Sequence, residues 1–284
     1  LCKALRQRLQ NFLVQELRTE SPVLSEDWVL TSLRQGRLGN GITYVSALPH
    51  KLKVGLPADE VSCIIGWLQQ SPLHERQTLS VRSIQDWIWV CTTVEDCSTG
   101  HLRLVLSLQA VLIWLHHWIK WSALSGSANP LIGQSSIHLP SRFDGVKPGP
   151  EMSPQLLMQY LYARCHQIRQ LQGFRDPQPA EVSFYSGREN QDFLGQVDVA
   201  WDQNDGRMTQ SLIQIVDSLA LPALPPLTLG KLALQLALAA DTWLGSLPGT
   251  LNLSLERQLI ARGTEEALRI ILQLALGVPP QKSL

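Results

Sequence analysis

Residues 153–172 read SPQLLMQYLYARCHQIRQLQ, and this stretch decides the class of the fold. Pro154 suits a first helical turn, where its missing N–H would have no intrahelical partner in any case. Leu157, Leu161, Ile168 and Leu171 then fall on one face, which predicts a long amphipathic helix. The helical period continues toward the C-terminus. Leu212 to Leu219, Leu229 to Leu244 and Leu253 to Leu276 give three more helical segments, punctuated by Pro222, Pro225, Pro226, Pro248 and Gly249. Residues 154–284 therefore read as an all-helical bundle.

Outward on the N-terminal side the pattern breaks. Residues 122–153 hold SGSANP, GQSS and LPSRFDGVKPGP, a dense run of Gly, Pro and Ser. That is linker chemistry and marks a domain boundary. Residues 1–121 mix two periods. Leu5, Leu9, Phe12, Leu13 and Leu17 line one face of a first helix. Ser25 followed by Glu26 and Asp27 opens a second, ending near Gly36, and Pro57 with Asp59 and Glu60 opens a third. The third has Val61, Ile64, Ile65 and Leu68 as its core stripe. Thr78 to Val94 is rich in Val, Ile, Trp and Thr with partial alternation, which reads as one or two strands. Leu102 to Leu108 reads as another strand, and Gln109 to Trp121 as a helix. The expected fold is mainly α: a small α+β N-terminal domain followed by an all-α bundle.

Composition narrows the function. The 284 residues hold 24 Lys+Arg and 24 Asp+Glu, with 44% hydrophobic residues. That much apolar material supplies packed interiors and excludes a disordered polyelectrolyte. Residues 1–150 carry three more basic than acidic residues, and residues 151–284 three more acidic than basic. The acids at positions 181–205 read as a solvated loop. The longest uncharged apolar stretch, Leu104 to Ile119, is short of the ~20 residues that a spanning helix needs. LCKALRQRLQNFLVQELRTE at the start is charged throughout, unlike a signal peptide. Five scattered cysteines, Cys2, Cys63, Cys91, Cys97 and Cys165, form no CxxC and read as reduced thiols, so a cytoplasmic location is expected.

No enzyme signature stands out. A phosphate loop, HExxH and GxSxG are all missing. Adjacent His116 and His117 point to different helix faces and cannot chelate one metal as an i, i+4 pair would. Neither a catalytic residue, a metal nor a cofactor is expected. What does stand out is the aromatic and basic helix QYLYAR-CHQIRQ. Tyr160 and Tyr162 offer faces on which bases stack, while Arg164, Arg169 and Arg175 can meet phosphates. The two rings are about 200° apart around a helix, so one pocket cannot use both.

The same stretch resembles the first helix of the DALR anticodon-binding domain of arginyl-tRNA synthetases, where a proline-initiated helix carries Gln-Tyr, then Ala-Arg, then Ile and a basic residue. The likeness extends to LALAADTWLGSLP (236–248) and to ERQLIARGTEEALRIILQLALGVPPQKSL (256–284), which is similar to the family's closing helices and proline-containing end. GNGITYVSALPHKLKVGLPADEVSCIIGWLQQ (39–70) resembles that family's N-terminal additional domain. It implies a helix, a short turn and an acid-opened helix, then a strand at TLSVRSIQDWIWV (78–90). The family's catalytic domain, with its His-x-Gly-His and Lys-Met-Ser-Lys-type motifs, has no counterpart, and residues 122–153 are too short to hold one.

The resemblance therefore implies a non-catalytic protein that binds the anticodon of arginine-type tRNA. In that family two aromatics and the chain-terminal side chain hold one anticodon base. By register these are Tyr160, Trp243 and Leu284, with Leu157 where a second tyrosine is common and Lys282 as the C-terminal basic residue. Arg6, Arg8, Arg34, Arg37, Lys51 and Lys53 would hold the tRNA body. Two alternatives stand beside it: a protein-interaction scaffold on a degenerate synthetase fold, and an accessory subunit of a split arginine-tRNA ligase.

Overall fold

The computed structural model describes residues 5–20, 33–36, 42–78, 84–96, 100–124, 153–172, 202–219, 226–248, 253–275, 277 and 279–282. Among the described residues the chain is mostly helical and carries one four-stranded antiparallel sheet. It divides into two compact units; among the described residues the first ends at Trp114 and the second begins at Leu115.

The first unit holds α1 (Leu5–Glu20), β1 (Leu33–Gln35), β2 (Ile42–Ser46), α2 (Leu48–Gly55), α3 (Ala58–Thr78), α4 (Ile84–Val90), β3 (Thr92–Asp96) and β4 (Leu102–Leu106). Strand order is β1-β2-β4-β3. Register follows from alternation. In β4 Leu102, Leu104 and Leu106 are buried while Arg103 and Val105 are half-buried. Leu104 pairs with Tyr44 on one side and Val94 on the other, giving a buried apolar row across three strands. On the opposite face Arg103 meets Glu95 at 3.3 Å. That exposed pair contributes at most ~1 kcal/mol, so the apolar row sets the register. Ser46 Oγ accepts the Leu48 N–H at 3.1 Å and starts α2, and Asp59 and Glu60 complement the positive end of α3.

Two expectations are corrected here. Ile84–Val90 is a helix, not part of a strand, and among the described residues of the Thr78 to Val94 segment only Thr92–Val94 pair in the sheet, as the start of β3. The short helix buries Ile88, Trp89 and Val90 and contacts α1 and α3. Tertiary contact overrides the local β preference of its Ile, Trp and Val. Leu33–Gln35, placed at the end of a second helix, is instead the edge strand β1. The remainder of that expected helix and most of the expected linker lie outside the described residues. β2 is a strand that the reading of residues 39–70 did not anticipate.

After β4 the chain enters α5 (Leu108–Leu124), the helix within which the division between the two units falls. Ser107 Oγ caps it by accepting the Ala110 N–H at 3.2 Å. Ala110, Val111, Leu112, Ile113, Trp114 and Leu115 are each at most 1% exposed, so this stretch of the helix is buried all round.

The second unit adds α6 (Pro154–Leu171), α7 (Gln203–Leu219), α8 (Pro226–Ser246) and α9 (Leu255–Ile270), the last continuing into a π turn, Ile271–Ala275. Ser153 Oγ accepts the Leu156 N–H, and Pro154 follows it, as the sequence predicts for the start of α6. The expected face of α6 is buried at Leu157 and Leu161, whereas Leu171 is 66% exposed. The most extensive packing is α7 on α8 and α9 on α6. Gly263 permits close approach on α9: a Cβ there would lie 2.6 Å from Leu115 Cδ1 and 2.8 Å from Leu212 Cδ2.

Candidate functional site

The polar chemistry of the second unit gathers on α6 and α9. Helical spacing on α6 places Tyr162, His166 and Arg169 on one face, each about one turn from the next. Glu265 of α9 faces them and is only 5% exposed at its side chain. Its Oε1 lies 2.8 Å from His166 Nδ1. Its Oε2 accepts a hydrogen bond from Arg262 Nη1 at 2.9 Å, and Arg169 Nε stands 3.1 Å from it as an ion pair. Arg169 Nη2 also lies 2.9 Å from His166 Nδ1, and Gln170 Nε2 lies 3.0 Å from His166 Nε2. A buried carboxylate survives only when paired and hydrogen-bonded, and here one imidazole and two guanidiniums meet that need.

This network fixes the rings around it. Tyr162 is 4% exposed and stacks on His166 with centroids 6.1 Å apart. Burial first, and then the Glu265 carboxylate, raises its hydroxyl pKa. Burial likewise pushes the Cys165 thiol up, with Glu265 adding to it, so that sulfur stays protonated and inert as a nucleophile. Arg269 forks onto Glu266 through Nε and Nη2, which raises its pKa and keeps it charged.

A second hub lies at the start of α7. Asp202 Oδ1 accepts the N–H groups of Asn204 and Asp205, each at 2.8 Å, and the Asp205 carboxylate reaches back to the Asp202 N–H at 3.3 Å. That is a reciprocal helix cap. Asp205 is 1% exposed and also accepts Trp243 Nε1 at 2.7 Å and Arg257 Nε at 3.2 Å. Arg257 Nη2 bridges on to Asp202 at 2.9 Å. The hydrogen bond to Asp205 is the main reason that the Arg257 pKa is raised.

A third feature ties the end of the chain to α6. Gln159 is 5% exposed. Its Nε2 donates to the Pro279 carbonyl at 2.9 Å, and its Oε1 accepts the Gln281 N–H at 2.8 Å. Gly277, between the π segment and this clamp in the chain, takes φ +64, a left-handed conformation that glycine adopts at little cost.

The residues expected from the sequence are distributed as follows. Tyr160 is half-buried, with the Arg164 guanidinium 5.6 Å from its ring centroid. Lys282 is exposed and follows Gln281 directly, just as Tyr160 follows Gln159. The clamp joins Gln159 to Pro279 and Gln281, so the residues next to Tyr160 and Lys282 in the chain are bonded to each other. Tyr162 and Trp243 are buried, at 4% and 1%, and present no open ring face in this conformation. Arg169 is engaged with Glu265. Arg175, Arg37 and Leu284 lie outside the described residues. Arg6, Arg8, Arg34, Lys51 and Lys53 belong to the first unit.

Sequence reading missed Asp205, Glu265 and Gln159. Asp202-x-x-Asp205 ahead of an apolar run was the available signal for the first. For a buried Glu265 the only hint was its position among core residues, with Ala261 and Leu268 on either side. Among the described residues no group of three His, Cys, Asp or Glu side chains could hold a metal ion, and no helix is long and apolar enough to cross a membrane. No family model, curated protein or solved structure matches the chain.

Proposed function

We propose that the chain is a non-catalytic tRNA-binding protein related to arginyl-tRNA synthetases, working in the cytoplasm, which stacks an unpaired anticodon base on Tyr160. One observation carries this reading: Tyr160 is the half-exposed ring of the set, it lies under the Arg164 guanidinium, and its neighbour Gln159 holds the segment bearing Lys282. An aromatic face flanked by cations is what a splayed base and its phosphates require. In this reading Trp243 and Tyr162 brace the bundle from inside, and the basic residues of the first unit contact the tRNA body.

Filter binding of arginine-type tRNA against other tRNAs, across a salt series, tests it. Binding should weaken with salt as phosphate contacts are screened. Tyr160→Ala should weaken it by roughly 5- to 150-fold, since base–aromatic stacking contributes ~1–3 kcal/mol, and Tyr160→Phe should restore it. Weak, equal and salt-insensitive retention of every tRNA would overturn the reading.

A second reading, a protein-interaction scaffold, is favoured by the pairing of Arg169, Arg257, Arg262 and Arg269 with carboxylates. Phosphates would have to compete with those partners. Native mass spectrometry of the protein recovered from its own cells separates the two: a protein partner without RNA supports the scaffold.

A further inference from the structure

Gln159 makes an unusual use of one amide. It spends both its donor and its acceptor on the backbone of one short segment, bonding the carbonyl of Pro279 and the N–H of Gln281. An extended chain offers a carbonyl and an N–H two residues apart at about this spacing, and a primary amide matches the pair. The side chain is buried while Gln281 and Lys282 are exposed, so the contact fastens a solvent-facing segment to a packed helix. Nothing else among the bonds described for residues 279–282 joins them to α6.

We infer that Gln159 is a positioning residue: a two-point latch that holds the C-terminal segment on α6 and so sets Lys282 beside Tyr160 for contact with RNA. The RNA part rests on the function proposed above; the latch itself does not. Glutamate at this position would keep the acceptor for Gln281 and lose the donor for Pro279, whereas methionine would lose both at similar length. A graded response is therefore built into the chemistry.

The test uses the whole chain with Gln159→Glu, Gln159→Met and Lys282→Ala. Hydrogen exchange of the C-terminal peptide, read without RNA, should accelerate at Gln281 by at least about tenfold in Gln159→Met and by less in Gln159→Glu, with exchange of α7 and α8 unchanged. Unchanged exchange at Gln281 in Gln159→Met would overturn the latch. The tRNA affinity of Gln159→Met should fall as far as that of Lys282→Ala, and the double variant should fall no further. Additive losses would overturn the positioning role. Failure of the wild-type chain to bind any tRNA would overturn the proposed function, while the exchange measurement still decides the latch.

Discussion

Two helices of this protein are buried by opposite means. In α5 six consecutive apolar residues lose water on every side. In α9 Glu256, Arg262, Glu265 and Glu266 are buried as well, each at most 9% exposed. The first burial rests on non-directional transfer of apolar surface and depends on filled volume. The second holds only while each charge keeps its partner, because removing one leaves the others desolvated and unmatched. The difference teaches that burial alone does not predict tolerance to substitution. A shape-conserving change should be mild in α5 and severe in α9.

The largest expected effect breaks the α9 side. Glu265→Gln keeps the shape and removes the charge that His166, Arg169 and Arg262 share. A loss of about 3–5 kcal/mol in denaturant unfolding is expected. A loss below about 1 kcal/mol would show that the network is not needed for burial.

Next comes acid. His116 lies at the middle of α5, and burial first, then Lys120, lowers its pKa from 6.5 to about 4. Its ring also meets that of His117, edge to face at 5.7 Å. The unfolded chain therefore binds the extra proton between these two values and the folded chain does not. This contribution to stability is intact above pH 6.5 and falls as pH drops toward 4, in total on the order of 3 kcal/mol. His116→Gln should flatten that limb in a series of urea titrations from pH 7 to pH 4. An unchanged limb would assign the acid sensitivity to the carboxylate networks instead.

Packing at Gly263 should matter less. Gly263→Ala inserts a methyl against Leu115 and Leu212, and about 1–3 kcal/mol should be lost unless those leucine ends shift. Trimming Leu212 to Ala in the same chain should then recover part of that strain, a coupling that a double-mutant cycle measures. Smallest of all is Leu112→Met in α5, where a volume-conserving swap should cost less than ~1.5 kcal/mol in thermal unfolding.

The sequence revealed elements whose signals were local. Pro154 after Ser153, and Asp59 with Glu60 after Pro57, announced α6 and α3 through chemistry confined to one turn. The segment Thr78 to Val94 misled because a seven-residue helix, α4, is too short for its period to outweigh Trp and Ile, and its contacts with α1 and α3 decide the outcome. Tyr160 and Arg164 could be picked out as an aromatic–cation pair because they lie one helical turn apart. For Trp243 it was the partner that stayed illegible, since its N–H is anchored by Asp205, 38 residues away. Glu265 was illegible for the same reason: an acid on a helix reads as solvated until the opposing His166 and Arg169 are known.

Asp205 has one more consequence. A single carboxylate closes the beginning of α7, the far end of α8 at Trp243 and the opening turn of α9 at Arg257. It works as the keystone of an arch. Trp243 and the capping turn can engage Asp205 while α7 and α8 pack together, but the buried charge gains its cation only when Arg257 of α9 is in place, so a chain cut before α9 would leave that carboxylate without its charge partner.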